Sequence, residues 1–337
     1  MKVLFNTHTP FNLAHGGAQI QIERTKDALN QIGVEADFFK WWDENQKPDI
    51  IHQIGGVTQA VVQASHRKGC KVVQTLLLTE TCNRSSLQLF LRQICVRAVL
   101  AAPLPRGMMD QLAWKTYRAC DLNIVGLEAE RMVLEKLYGI PRERIAVVPL
   151  GLTDTFLRAG EAIRTESHLI CTGTIGPLKN SIQLARLALE AQVPILFVGK
   201  PFDFGNAYWK EFEKLIDGRF VKHQMHVRNE EIVAWLQKAR GYVLMSRSEN
   251  WSLAAHEAAA CGLPLLLPDQ RWSRERFGNQ AVYFPQRLGR RSAIVLRQFY
   301  DSCPKLPSPK VELPGWCDVA EKLKRIYSDL LAGKIQG

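Results

Sequence analysis

Two carboxylates eight positions apart, Glu249 and Glu257, open the reading. They sit in Ser246-Arg247-Ser248-Glu249-Asn250-Trp251-Ser252-Leu253-Ala254-Ala255-His256-Glu257-Ala258-Ala259-Ala260-Cys261-Gly262-Leu263-Pro264. A buried strand here runs into a polar loop that carries the first acid. Ser252 is a good N-cap residue for the helix that follows. The backbone N–H groups of Leu253, Ala254 and Ala255 then face outward at a helix start, where the positive end of the dipole suits a phosphate. Carboxylates accept hydrogen bonds strongly from the vicinal hydroxyls of ribose or hexose. One acid for each hydroxylated ring, with a diphosphate between, fits a sugar nucleotide. Taken singly, Glu249 reads as a loop acid, Glu257 as a helix-surface acid and Trp251 as a core aromatic. Their joint context points to a ligand, with backbone contacts from Asn250–Leu253 favoured over any role for the Trp251 ring.

These residues must be held by a scaffold, and hydropathy periodicity supplies one. Strands are expected at Lys2–Asn6, Val34–Phe39, 48–52, Lys71–Leu78, Asn123–Gly126 and Ile145–Val148, separated by helical stretches such as 57–68, 83–118 and Glu128–Tyr138. The periodicity fades over 153–167, the candidate linker. It restarts with strands at His168–Thr172, Pro194–Gly199, Arg219–His223, Tyr242–Ser246 and Leu263–Pro268, with helices between. Alternation of this kind marks parallel sheets with crossover helices. The fold class is α/β, with two Rossmann-like domains facing across a cleft at their strand C-terminal ends, where open α/β sheets bind ligands. The boundaries are 1–152, a linker at 153–167, a second domain over 168–312, and an amphipathic terminal helix within 313–337.

The Glu249–Glu257 block strongly resembles the E-x7-E element of retaining glycosyltransferases of the GT-B fold, particularly family 4. Thr172-Gly173-Thr174-Ile175-Gly176-Pro177-Leu178-Lys179-Asn180 looks like that family's phosphate loop. Leu196-Phe197-Val198-Gly199-Lys200 is similar to its strand end beside the nucleobase. Val147–Leu152 resembles its Ile-Pro-Asn-Gly-Val turn, and Gly16-Gly17 its first glycine loop, where close backbone approach to a ligand is allowed. The resemblance implies a C-terminal helix that returns to the first domain. It also implies transfer of a sugar from a nucleoside diphosphate with retained configuration, the departing diphosphate helping to deprotonate the acceptor. No metal or cofactor is implied beyond the nucleoside diphosphate sugar as co-substrate. Lys179 and Glu249 take the catalytic roles, and Lys179 steadies the leaving group. Donor binding falls to Gly16, Gly17, Gly173, Thr174, Lys179, Gly199, Lys200, Arg247, Glu249, Asn250, Trp251, Ser252, Leu253 and Glu257. Three departures stand out. Thr174 replaces the family's phosphate-loop arginine, with Arg247 a nearby candidate for the missing charge. Gln74-Thr75-Leu76-Leu77 lacks the histidine often found after that strand, and His8, His15 and His52 are read as loop or strand-end residues. Leu150 replaces an asparagine, at little cost.

Composition bounds the rest. Of 337 residues, 44 are basic and 33 acidic, a net charge of +11. The excess lies in two windows. Residues 81–118 hold six basic side chains against Asp110, and residues 271–297 hold seven arginines against Glu275. Such windows suit an anionic partner: a sugar nucleotide, an acidic glycan or lipid head groups. No nucleic-acid motif accompanies them, so nucleic acid is not an expected partner. The eight cysteines form no C-x-x-C pair and are expected as reduced, mostly buried thiols. No run reaches membrane-span length and no secretory leader is read, so a cytoplasmic location is expected, with peripheral contact to the inner face of an anionic membrane. The partners are then a nucleotide-sugar donor and a glycan, lipid or small-molecule acceptor. The alternatives are a non-catalytic sugar-nucleotide binding protein and a GT-B relative with other chemistry, such as an epimerase.

Overall fold

The computed structural model describes residues 1–7, 17–101, 113–201, 203–225, 227, 229–249, 251–285 and 289–334. The chain divides into two compact units, Met1–Gly151 with Trp316–Gly337, and Leu152–Gly315.

In the first unit, six parallel strands lie in the order β2-β1-β3-β4-β5-β6. They are β1 (Lys2–Thr7), β2 (Glu35–Phe38), β3 (Ile50–Ile54), β4 (Lys71–Thr75), β5 (Leu122–Val125) and β6 (Ile145–Val147). The crossover through α1 (Gly17–Gln31) runs toward one edge of the sheet. Those through α2 (Gln59–Arg67), through α3 (Thr79–Cys82), α4 (Ser86–Ala101) and α5 (Ala113–Ala119), and through α6 (Glu128–Tyr138) run toward the other. Right-handed connections therefore put α1 on one face and α2 to α6 on the opposite face. The central strands enclose apolar residues such as Val3, Leu4, Ile50, Val72, Val73 and Ile124, as a sheet covered on both sides requires.

A later helix, Trp316–Leu331, closes the α1 face by packing along α1. Its Trp316, Val319, Ala320, Leu323, Tyr327 and Leu330 are buried at helical spacing. Tyr327 reaches His52 in the middle of β3. The hydroxyl lies 2.6 Å from Nδ1, and the Thr75 hydroxyl lies 2.6 Å from Nε2. His52 is thus a core residue, not the strand-end or loop histidine expected from sequence, and burial drives its pKa down to about 3. On the opposite face four amide side chains stand in register across β1, β3, β4 and β5: Asn6, Gln53, Gln74 and Asn123. They bond to one another or to nearby carbonyls, as in Asn6 Nδ2 to Gln53 Oε1 at 2.8 Å and Gln74 Nε2 to the Gly55 carbonyl at 2.8 Å.

The second unit holds six parallel strands in the order β12-β11-β10-β7-β8-β9. They are β7 (Leu169–Thr172), β8 (Ile195–Val198), β9 (Val221–Gln224), β10 (Gly241–Val243), β11 (Leu265–Pro268) and β12 (Val282–Phe284). The intervening helices are α7 (Asp154–Leu157), α8 (Ser181–Ala191), α9 (Ala207–Glu213), α10 (Asn229–Lys238), α11 (Leu253–Ala260), α12 (Arg271–Phe277) and α13 (Arg290–Ser302); Trp316–Leu331 is α14. The direction of winding reverses between β7 and β10, the point at which open α/β sheets take ligands. Residues 153–167, expected as a linker, are bound into this unit. Ile163 and Arg164 donate backbone bonds to Gln237, and the Arg164 guanidinium donates to the carbonyls of Cys303, Leu306 and Gly262. The eight cysteines are free, with Cys95 and Cys317 exposed and the others buried.

The contact between His52 and Tyr327 generates a test. Tyr327→Phe leaves the buried Nδ1 without its partner. It should destabilise the first unit by about 1–3 kcal/mol in urea unfolding of the whole chain.

Candidate functional site

The two loops that flank the switch point of the second unit carry the chemistry. After β7 the chain turns at Gly173 and runs through Ile175 and Gly176 to Lys179 and the cap of α8. Gly199, after β8, adopts φ +150°, and a Cβ there would lie 2.0 Å from the Gly173 carbonyl oxygen. Only glycine lets these two strand ends close up. The pairing continues as Ile175 N–H to the Lys200 carbonyl at 3.0 Å. Lys200 is held by its backbone and its side chain is exposed.

After β10 the chain enters the loop of Glu249. Arg247 N–H donates to the Leu178 carbonyl at 2.8 Å, which ties this loop to the one bearing Lys179. The Lys179 ammonium donates to Glu249 Oε1, and both side chains are largely shielded, 23% and 11% exposed. One N–H of the ammonium is thereby used and two remain for other acceptors. Lys179 also lies close enough to Glu257 to lower its pKa electrostatically. Burial outweighs this and raises the Glu257 carboxyl to about 7, although the side chain keeps some contact with solvent. No described hydrogen-bond donor reaches that carboxylate. Beside this cluster the Thr172 and Tyr242 hydroxyls are buried against each other, and the buried Ser246 hydroxyl meets hydrogen-bonding geometry with no described group. Tyr242 lies within the fields of Glu249 and Glu257, which add to burial in raising its pKa.

Two helices begin here, and their first turns differ. At α8 the Ile182 amide is taken by the Tyr208 hydroxyl at 3.1 Å. At α11 the Ser252 hydroxyl accepts from Ala255 at 3.4 Å, and Leu253 and Ala254 remain half-buried, so that helix start is not sealed by packing. The Trp251 ring belongs to the support. It stacks on His256 at 4.3 Å and 5°, and the Arg276 guanidinium lies over its other side at 3.5 Å. His256 Nδ1–H donates to the Ser252 carbonyl at 2.8 Å, and burial with the Arg276 charge lowers its pKa to about 4. The stack of guanidinium, indole and imidazole fixes the path from Trp251 into α11.

Of the expected site residues, Gly173, Thr174, Lys179, Gly199, Glu249, Ser252, Leu253 and Glu257 gather on these loops and helix starts. Arg247 is exposed, and its charge acts on Tyr208. Gly17 is the exposed first residue of α1 in the other unit. Gly16, Asn250, His8 and His15 lie outside the described residues. Sequence reasoning missed Gln270. Its Nε2 donates to the Ser246 carbonyl at 3.0 Å and the Arg247 carbonyl at 2.8 Å, while Trp272 Nε1–H donates to its Oε1 at 2.8 Å. The indole thus orients the amide that holds the Glu249 loop. A glutamine after a strand carries no pattern that could have marked it.

No family profile matches the chain. A D-inositol 3-phosphate glycosyltransferase of Catenulispora acidiphila is 24% identical over 245 residues, 64% of this chain and 59% of that protein. The chain thus matches about three fifths of the length of this curated relative. Sucrose-phosphate synthase from Thermosynechococcus elongatus has a TM-score of 0.68 at 15% identity, covering 99% of this chain and 100% of the other. Anabaena HepE, solved in complex with UDP and glucose, has a TM-score of 0.65 at 14% identity, covering 97% and 99%. The chain has a GT-B fold. In GT-B terms the loops after β7 and β10 of the second unit are the ones the sequence motifs mark.

Two outcomes follow from this geometry. Glu257 stays protonated in the folded chain up to about pH 7, whereas unfolding lets it ionise near 4.5. The unfolded state is therefore favoured as pH rises from about 4.5 to 7. Glu257→Gln should stabilise the ligand-free protein by about 1–3 kcal/mol at pH 8 and have no effect at pH 4, measured by chemical unfolding at both. Gln270→Glu replaces a donor with a carboxylate facing two carbonyls. It should loosen the Glu249 loop and destabilise the folded chain by about 1–3 kcal/mol in chemical unfolding, with Gln270→Ala weaker in effect.

Proposed function

We propose that the chain is a glycosyltransferase that moves a sugar from a nucleoside diphosphate sugar to an acceptor hydroxyl with retention of anomeric configuration. The observation that carries this reading is the Lys179–Glu249–Glu257 cluster at the switch point, beside the open start of α11. The diphosphate would lie on the α11 amides, with the two unused Lys179 N–H groups directed to its oxygens. Glu257 and Glu249 would accept hydrogen bonds from hydroxyls of the nucleoside and the transferred sugar. Gly173 and Gly199, which leave the backbone bare, would let the nucleotide approach the strand ends. The bond from the anomeric carbon to the diphosphate oxygen breaks, the acceptor oxygen bonds to that carbon on the same face, and the departing diphosphate takes the acceptor's proton. Lys179 offsets the charge that develops on the leaving group. Such a donor is worth about 10²–10³ in rate, since its charge is in place before the bond breaks.

No resident metal or cofactor takes part in this reading. The acceptor is inferred to be a glycan, lipid or small-molecule hydroxyl. The protein is inferred to work in the cytoplasm against the inner face of a membrane; no helix of the described residues is long and apolar enough to cross one. The fold shared with HepE, which was solved with UDP and glucose, and the names of the curated relatives support a nucleotide-sugar donor. Thr174 favours a second reading. A neutral hydroxyl supplies no charge to the phosphates, and a sugar-nucleotide binding protein without transfer would need none. An epimerase would likewise bind the donor.

Thermal-shift screening against nucleoside diphosphate sugars, followed by donor hydrolysis with the stabilising member, separates these. Transfer predicts slow hydrolysis, lost in Glu249→Ala and reduced about 10²–10³-fold in Lys179→Ala. Stabilisation without hydrolysis, unchanged by Glu249→Ala, would establish the binding protein, and a changed sugar recovered on the nucleotide the epimerase. Glu257→Ala should abolish the shift, and an unaltered shift in both Glu257→Ala and Lys179→Ala would remove the site.

A further inference from the structure

Helix α4 of the first unit is turned the opposite way from an ordinary surface helix. Its polar residues Arg92 and Gln93 share the protein-facing side with Leu89 and the fully buried Val96. Gln93 Nε2 donates to the Lys136 carbonyl of α6 at 2.6 Å, and Arg92 is bonded to Tyr138 of the same helix. The outward side carries Leu87, Phe90, Leu91 and Ile94, which are 68%, 58%, 54% and 52% exposed. Their spacing of i, i+3, i+4 and i+7 places them in one stripe. Exposed apolar residues scattered singly need no explanation, whereas a contiguous stripe marks an interaction surface.

The charges around the stripe say what it meets. Arg84 and Arg97 are exposed on the same segment, and residues 81–101 contain no acid. The acids of the packed helix α6 do not neutralise them. Glu128 and Glu135 pair with Arg131, and Glu130 accepts the backbone N–H groups of Leu78, Gly126 and Leu127. An apolar stripe flanked by guanidinium groups matches the boundary between acyl chains and anionic head groups. We propose that the outer face of α4 is a docking surface for an anionic lipid bilayer, with Phe90, Leu91 and Ile94 entering the interface and Arg84 and Arg97 on the phosphates. The inference stands on α4 alone and does not depend on the sugar-nucleotide reading. If both hold, the acceptor is one presented at a membrane.

Sedimentation of the full chain with vesicles tests it. Vesicles of phosphatidylcholine with phosphatidylglycerol should carry the protein down, and phosphatidylcholine vesicles should not. Added salt should weaken the binding, because the exposed arginine charges are screened. Phe90→Ser with Ile94→Ser should lower the partition coefficient at least tenfold. Arg97→Glu should lower it about fivefold or more, since each basic group near an anionic surface contributes roughly that factor. All three positions are exposed, so circular dichroism and thermal shift with a nucleotide sugar should match the unsubstituted protein. No binding to the anionic vesicles, or equal binding by the Phe90/Ile94 variant, would overturn the proposal. So would a concentration-dependent dimer in light scattering that this variant abolishes, because the face would then belong to a second copy.

Discussion

One ammonium serves two carboxylates at the switch point of the second unit. Lys179 is bonded to Glu249 and acts through space on Glu257, and all three lie in surroundings poor in water. Everything nearby keeps that cation in place. Gly173 and Gly199 bring the strand ends together, and the bond from Arg247 N–H to the Leu178 carbonyl joins the two loops. A cation in a medium of low dielectric exerts a strong field on any charge that develops beside it, and it costs no reorganisation when fixed beforehand. Its partial use by Glu249 keeps it from being buried alone, which would be unfavourable without a ligand.

Supports for this cation come from elements that bear no ligand-binding chemistry of their own. Trp272 orients Gln270, Gln270 holds the carbonyls of Ser246 and Arg247, and the Arg276–Trp251–His256 stack fixes the entry to α11. Burial keeps His256 neutral, so the imidazole can stack on the indole without adding a second positive charge beside Arg276. The excess of arginine in residues 271–297 is thus partly structural. Arg274 pairs with Asp269 and lies over Tyr283, and Arg276 covers Trp251.

Much of this was legible in the sequence where one physical pattern dominated. Glu128–Tyr138, Ser181–Ala191 and Trp316–Leu331 have clean helical spacing, and the structure has helices over those residues. The Glu249–Glu257 block could be read because a strand, a polar loop and a capping serine follow in order. Helices α12 and α13 and strand β12 were not read as elements, since closely spaced arginines obscure the apolar period of Arg271–Ser302. Residues 153–167 looked like a linker because they are held by backbone bonds and by Arg164 rather than by an apolar face. Gln270 and Tyr242 depend on contacts distant in sequence, which no local pattern reports. On α4 the sequence shows which residues are apolar but not which side faces the protein. That is decided by α6, whose carbonyl and tyrosine take up Gln93 and Arg92.

The treatment of buried polar groups separates support from site. In the first unit His52 has a partner on each ring nitrogen, and the Glu130 carboxylate accepts three backbone N–H groups. Such groups fix a core, and nothing remains for a ligand to satisfy. Near Lys179 the balance is reversed. The Ser246 hydroxyl is buried outside hydrogen-bonding geometry with any described group, the buried Thr172 and Tyr242 hydroxyls have only each other, and the Glu257 carboxyl is enclosed enough to resist ionisation. Unsatisfied groups of this kind lower stability, and one on its own would be a packing defect. Several of them around one cation, at the place where the winding of the sheet reverses, are what a polar ligand rich in hydroxyls and phosphate oxygens would complete. His52 and Glu130 therefore serve the core of the first unit, while the Lys179 cluster of the second keeps polar capacity that a ligand can take up.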